Sequence, residues 1–263
     1  MKEVIKASRI ILDNTKFKGD IAIILGSGLG GFTDALENKK IIKYTEIPHY
    51  PLSTIPGHAG ELVIGKINNK ELLVANGRFH YYEGYSKEQV TFPIKVLHKC
   101  GIKNLIITNS SGSLKKSLPP GTIVAIKGHM DFSFQKKVQD PVLNNDTKFH
   151  SSKLISLANV VAMENRISFT KGNYCWTLGP MYETPEEINY LKSLNGSVVG
   201  MSTLPEIKES GLLGLNVLTL SVITNFAAGI SKTSLSHEEV LFNAKTSKHK
   251  MIKLLSGIID KIT

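Results

Sequence analysis

A chain of 263 residues, 41% of them hydrophobic, is long enough to bury a full core, and its composition suits one large α/β domain spanning residues 1–263. It contains no run of about 18 apolar residues, and the opening MKEVIKASRIILDNTK spaces its apolar residues as an amphipathic helix instead of a signal core. A membrane partner is therefore not expected, and the cytoplasm is the expected location. The net charge of +10 would attract polyanions, yet the lysines lie in scattered pairs (Lys39-Lys40, Lys115-Lys116, Lys136-Lys137) with no interleaved aromatics, which excludes a nucleic-acid stripe in favour of a solvated face.

Taken in chain order, strand-like and helix-like patterns alternate without a linker or repeat, predicting a single-domain mixed β-sheet flanked by helices. The first strand, Ile21 to Leu25, runs into Gly26-Ser27-Gly28-Leu29-Gly30-Gly31, with a short helix predicted from Phe32 to Asn38. Glu61 to Ala75 reads as a hairpin turning at Asn68-Asn69, two residues that tolerate positive φ. Ser86 with Gln89 opens a helix to about Cys100. Buried strands are predicted at Leu105 to Thr108, Ile123 to Ile126, Tyr174 to Leu178, Val198 to Met201 and Val217 to Thr224. The pairs Thr184 with Glu187, Thr203 with Glu206, and Ser236 with Glu239 mark further helix starts as capping boxes. Cys100 and Cys175 sit in apolar runs and read as reduced, buried thiols.

Chemistry-bearing residues cluster where these strands end. Gly26 to Gly31 offers backbone N–H groups and the Ser27 hydroxyl to an anion. Gly26, Gly28 and Gly31 also satisfy a dinucleotide-binding spacing with Glu46 downstream, and a tight turn is the third reading. Arginine occurs only at Arg9, Arg78 and Arg166, so Arg78, in GRFHYYEGY, is a deliberate fork suited to two phosphate oxygens or a structural ion pair. His58, His80 and Tyr82 share these loops, and no metal-ligand spacing accompanies them. Asn109-Ser110-Ser111-Gly112-Ser113 reads as a second oxyanion cradle or as loop capping. Tyr182 and Glu183 suit a flat heterocycle with N–H groups, although Glu183 equally fits a helix dipole. Met201 and Ser202 end one strand and Asn225 another, and the Asn225 amide offers a donor and an acceptor together. His237 is either an exposed first-turn residue or a ligand contact.

Together, GSGLGGF, STIPGHAGELVIG, GRFHYYEGY, TFPIKVLHKCGIKNLIITNSSGSL, GPMYETPEE, GMSTLPE, SVITNFAAG and SHEEV, in this order, resemble the trimeric purine nucleoside phosphorylase family over nearly the whole chain. The resemblance implies reversible cleavage of 6-oxopurine (deoxy)ribonucleosides by inorganic phosphate, in a homotrimer, without metal or organic cofactor. It implies that Ser27, His58, Arg78, Ser110 and Ser202 hold phosphate, that His80, Tyr82, Met201 and His237 surround the pentose, and that Tyr182, Glu183 and Asn225 hold the base. Asn225, Glu183 and His80 would then carry the catalytic work. Two departures stand out: Ser110-Ser111-Gly112-Ser113 replaces the family's usual Ala-Ala-Gly-Gly, and the stretch from Lys136 to Leu157 is short. That stretch would supply an aromatic residue to a neighbouring subunit's site, for which Phe149 is the candidate. The rival expectations are a methylthioadenosine phosphorylase-like enzyme, a nucleoside hydrolase, and a nicotinamide-binding module built on Gly26, Gly28, Gly31 and Glu46.

Overall fold

Every residue of β1 (Ile21–Leu25) is apolar and buried because both faces of the sheet it belongs to are covered. Ile21, Ile23 and Leu25 face one cluster, shared with helices α3 (Ser152–Glu164) and α6 (Lys248–Lys261), while Ala22 and Ile24 face another. The second cluster holds α1 (Lys2–Thr15), α2 (Lys87–Lys99) and α5 (Leu204–Leu212). These coordinates are a computed structural model, which describes residues 1–52, 59–134, 141–231 and 247–263.

The remaining strands are β2 (Glu37–Lys43), β3 (Glu61–Ile67), β4 (Lys70–Asn76), β5 (Asn104–Ser113), β6 (Ile123–Asp131), β7 (Phe169–Trp176), β8 (Val198–Gly200) and β9 (Asn216–Phe226). They form one mixed sheet in the order β2-β3-β4-β1-β5-β8-β7-β6-β9, and an additional β5–β9 pairing closes the last five strands into a ring. β4, β1, β5 and β9 run parallel, so their carboxyl ends lie along one edge. α4 (Pro185–Ser193) packs its buried Ile188 and Leu191 into a third cluster with Val199 and Cys175. The expected single-domain mixed sheet with flanking helices is the architecture observed.

Several boundaries move for identifiable reasons. Asn68 and Asn69 take φ of 48° and 64° and make the predicted hairpin turn between β3 and β4. The helix expected from Phe32 to Asn38 is instead a 3-10 turn, Gly30–Ala35, because the chain already enters β2 at Glu37 and pairs with β3. Without a crossover helix to an adjacent parallel strand there is no dinucleotide-binding unit. Glu46 turns away as well, accepting from Lys43 N at 2.8 Å. The dinucleotide spacing of Gly26, Gly28 and Gly31 is therefore a coincidence of close packing: a Cβ on Gly26 would lie 2.7 Å from the Asn109 Cα. The polar run Asn109 to Ser113 is no loop; it continues β5 and pairs with β9.

The Ser86–Gln89 and Thr184–Glu187 capping boxes form as predicted. Thr203 does not cap α5 by its side chain, since it sits at φ 77° and turns its hydroxyl to Arg78. The Ser236–Glu239 pair lies outside the described residues. Phe149, the aromatic candidate for a neighbouring site, is buried within the chain, its ring 5.5 Å from that of His129 and tight against Gly211. Cys100 and Cys175 are free and buried, and burial pushes both thiols up to about 12. Among the described residues no helix is long and apolar enough to cross a membrane.

Candidate active site

The loops and strand ends along the shared edge enclose a cavity of about 370 Å³. Each wall follows from the topology. Ser27 lies just past β1, Arg78, His80 and Tyr82 just past β4, Ser110 within β5, and Asn225 near the end of β9. Tyr182 and Glu183 arrive from the β7–α4 connection. Met201 and Ser202 follow β8, whose register, with Val199 opposite Gly112, brings Met201 level with Ser110. Ten of the twelve residues to which the resemblance assigned site roles thus line one cavity, while the other two, His58 and His237, lie outside the described residues.

Arg78, on the cavity wall, is almost wholly buried. Its Nη1 donates to Ser202 Oγ at 3.1 Å and to Thr203 Oγ1 at 2.9 Å, and its Nη2 is 3.5 Å from Glu206 Oε2. Thr203 also accepts from Asn109 Nδ2 at 3.0 Å, and Asn109 Oδ1 accepts from Ser111 at 2.8 Å. The positive φ of this β-branched residue costs about 1–3 kcal/mol and is held by that network. Burial raises the Glu206 carboxyl above its usual range, with the Arg78 charge opposing it. The serines of β5 spend their hydroxyls within the protein. Ser110 donates to Ser27 O at 3.0 Å, Ser111 to Asn109, and Ser113 to Lys115 O at 2.8 Å.

Behind the cavity-lining ring of His80, Nδ1 lies 3.0 Å from Glu83 Oε1, and the His80 backbone N–H donates to the same oxygen at 2.8 Å. A carboxylate there accepts, so a ring proton sits on Nδ1. The ring stacks on Tyr82 at 4.7 Å and 22°, and burial pushes the Tyr82 hydroxyl up to about 12. Gly179, at φ 73°, leaves the room that Met201 fills; a Cβ there would come within 2.5 Å of its sulfur.

Glu183, also on the cavity wall, accepts from the Thr177 hydroxyl at 2.6 Å, and burial raises its carboxyl while that hydrogen bond pulls the other way. Asn225 Oδ1 accepts from Thr224 at 2.8 Å and its Nδ2 donates to Phe226 O at 3.0 Å. Gly112 gives Asn225 clearance, since a Cβ would stand 3.3 Å from Nδ2. A fork with hydroxyls, a histidine stacked on a tyrosine beside a methionine, and an amide and a carboxylate on the same cavity suit, respectively, an oxyanion, a sugar and a heterocycle with N–H groups.

Residues 20–260 match the model of the phosphorylase superfamily. The chain belongs to that superfamily. It is 38% identical to purine nucleoside phosphorylase 1 of Bacillus subtilis, covering 97% of this chain and 96% of the relative. It is also 34% identical to the mouse (Mus musculus) purine nucleoside phosphorylase, over 96% and 92% respectively. Among solved structures, the Schistosoma purine nucleoside phosphorylase in complex with hypoxanthine superposes with a TM-score of 0.91 at 33% identity. That superposition covers 100% of this chain and 98% of the other. The Schistosoma enzyme in complex with guanosine gives 0.90 at 32%, over 100% and 98%.

Within this phosphorylase fold, three side chains that stand behind the cavity wall and contact its residues carried no functional signal in the sequence. Glu206 reads as a capping partner of Thr203, Glu83 as one more charge in a tyrosine-rich loop, and Thr177 as the polar end of a strand. Only Glu83 had an accessible cue, its position three residues after a histidine in a short turn, where a carboxylate reaches back to the first N–H.

Proposed function

We propose that the chain is a purine nucleoside phosphorylase that converts 6-oxopurine (deoxy)ribonucleosides such as inosine and guanosine, with inorganic phosphate, reversibly into free base and (deoxy)ribose 1-phosphate. The observation that carries the reading is the single cavity lined by Arg78 with Ser202, His80 with Tyr82 and Met201, and Glu183 with Asn225. The relatives' names and the hypoxanthine and guanosine complexes of the Schistosoma enzyme support it.

On this reading Ser27, Arg78, Ser110 and Ser202, with His58, hold phosphate, and His80, Tyr82, Met201 and His237 surround the pentose. Tyr182, Glu183 and Asn225 hold the base. A phosphate oxygen bonds to the anomeric carbon as the bond to the purine nitrogen breaks. The electron pair leaves with the base, and the phosphate's negative charge steadies the oxocarbenium-like carbon between them. Asn225 Nδ2 donates to the ring as negative charge grows there, which requires it to exchange the Phe226 carbonyl for the base. Glu183 accepts from the N–H at purine position 1, a proton that hypoxanthine and guanine carry and adenine lacks. Phosphate is itself the nucleophile, so the chemistry calls for no metal or organic cofactor. We further propose that residues 1–263 act as one domain, in the cytoplasm, as a homotrimer.

The test is a comparison of kcat/KM for inosine and methylthioadenosine at saturating phosphate. Inosine is expected to win by at least about a hundredfold, because an unpaired Glu183 and a misplaced 6-amino group both count against the adenine ring. A preference for methylthioadenosine would make the chain an adenine-directed phosphorylase instead.

A further inference from the structure

We propose that Thr177 is a specificity-determining positioning residue: by donating its hydroxyl proton to Glu183, it holds that carboxylate as an acceptor and so favours purines bearing a proton at ring position 1. The inference rests on the base-binding role of Glu183 proposed above and adds what selects its recognition state.

The geometry leaves Thr177 little freedom. It directly follows β7, and its backbone N–H donates to Gly200 O at 3.1 Å, which anchors it beside β8. From there its hydroxyl reaches Glu183 Oε1 at 2.6 Å. Thr177 does not line the cavity, so it acts on the base only through Glu183. A hydroxyl has one proton to give, and giving it requires that the Glu183 oxygen be an acceptor.

The surroundings otherwise press Glu183 toward its protonated form. Burial is the largest influence and raises its carboxyl, and Glu187, in the first turn of α4, adds like charge. Cys175, on β7, is held neutral by burial, and the neighbouring Tyr182 hydroxyl is also raised. Against these stand the Thr177 hydroxyl and the backbone N–H of Glu183 itself. The two states of this carboxyl read opposite bases. Ionised, it accepts from the N–H of hypoxanthine or guanine; protonated, it donates to the bare nitrogen of adenine. Thr177 therefore favours the 6-oxopurine state without touching the purine.

The experiment measures kcat/KM for inosine and for adenosine from pH 5 to 9 with the native enzyme, Thr177→Val and Thr177→Ser, thermal melts confirming that each variant folds. For Thr177→Val the acid limb of the inosine profile is expected to move up by about one pH unit. The inosine-to-adenosine ratio on that limb should fall about tenfold, the same difference expressed as specificity. Thr177→Ser should restore both. A native profile and ratio in Thr177→Val, or a loss uniform across pH with the ratio unchanged, would overturn the proposal. Glu183→Ala separates the two levels. If it leaves inosine cleavage native, both the base-binding reading and the role of Thr177 fall. If it abolishes the inosine preference while Thr177→Val changes nothing, the role of Thr177 alone falls.

Discussion

Arg78 and Glu206 form a buried ion pair whose two members do different work, and single replacements should separate them. Lysine at position 78 keeps the charge but loses the fork that reaches Ser202, Thr203 and Glu206 together, so Arg78→Lys should raise the KM for phosphate about tenfold or more. The KM for inosine should move far less, and steady-state kinetics with each substrate varied in turn checks this. Removing Glu206 instead leaves a buried cation without its counter-charge, a defect of about 3–5 kcal/mol in the unliganded protein. Glu206→Ala should therefore melt well below the native enzyme, and millimolar phosphate should recover more of its melting temperature than it adds to the native one, since the dianion supplies the missing negative charge. Equal phosphate shifts in both proteins would refute that. The two residues also show what a sequence can carry at this scale. Arg78 stood out because the chain otherwise chooses lysine, whereas Glu206 has the spacing of a cap and only the positive φ of Thr203 redirects it into the site.

At the scale of elements, the segment from β6 to α3 carries a buried histidine pair. His129 Nδ1 and His150 Nε2 lie 2.8 Å apart, and burial pulls the two imidazoles down to about 3 and about 4. Between about pH 6.5 and pH 4 the unfolded chain binds protons that the folded chain refuses, so this pair makes stability fall as pH falls, at up to about 1.4 kcal/mol per proton and pH unit. Glu183 and Glu206, held up by burial, contribute with the opposite sign, gaining stability as pH drops. His150→Gln should flatten the decline measured by denaturant unfolding across that window; an unchanged slope would show that the pair does not titrate with unfolding. Thr184 caps α4 immediately after Glu183, so Thr184→Ala should cost about 1 kcal/mol and raise the KM for inosine by loosening the loop, checked by the same two assays. Such caps were readable in advance at Ser86 and Thr184, because a hydroxyl and a side chain three residues on make a purely local pattern. The extent of β5 was not, because Asn109 to Ser113 look like a loop until β9 supplies the ladder that makes them strand.

For the whole molecule, the deciding feature is that the parallel run of β4, β1, β5 and β9 delivers four strand ends to one edge, while β8 joins the ring to bring Met201 and Ser202 across from Ser110. Continuous apolar strands and short connections announced a sheet covered on both sides, and the polar clusters at their ends announced where ligands would meet. The closure of five strands into a ring was invisible, since it depends on pairings between segments as distant as β5 and β9. If that edge holds phosphate and nucleoside side by side, base release must consume phosphate. Purified protein incubated with inosine should liberate hypoxanthine only when inorganic phosphate is present, with ribose 1-phosphate appearing in equal amount by phosphorus NMR. Hypoxanthine released at the same rate in phosphate-free buffer, with free ribose as the second product, would contradict it.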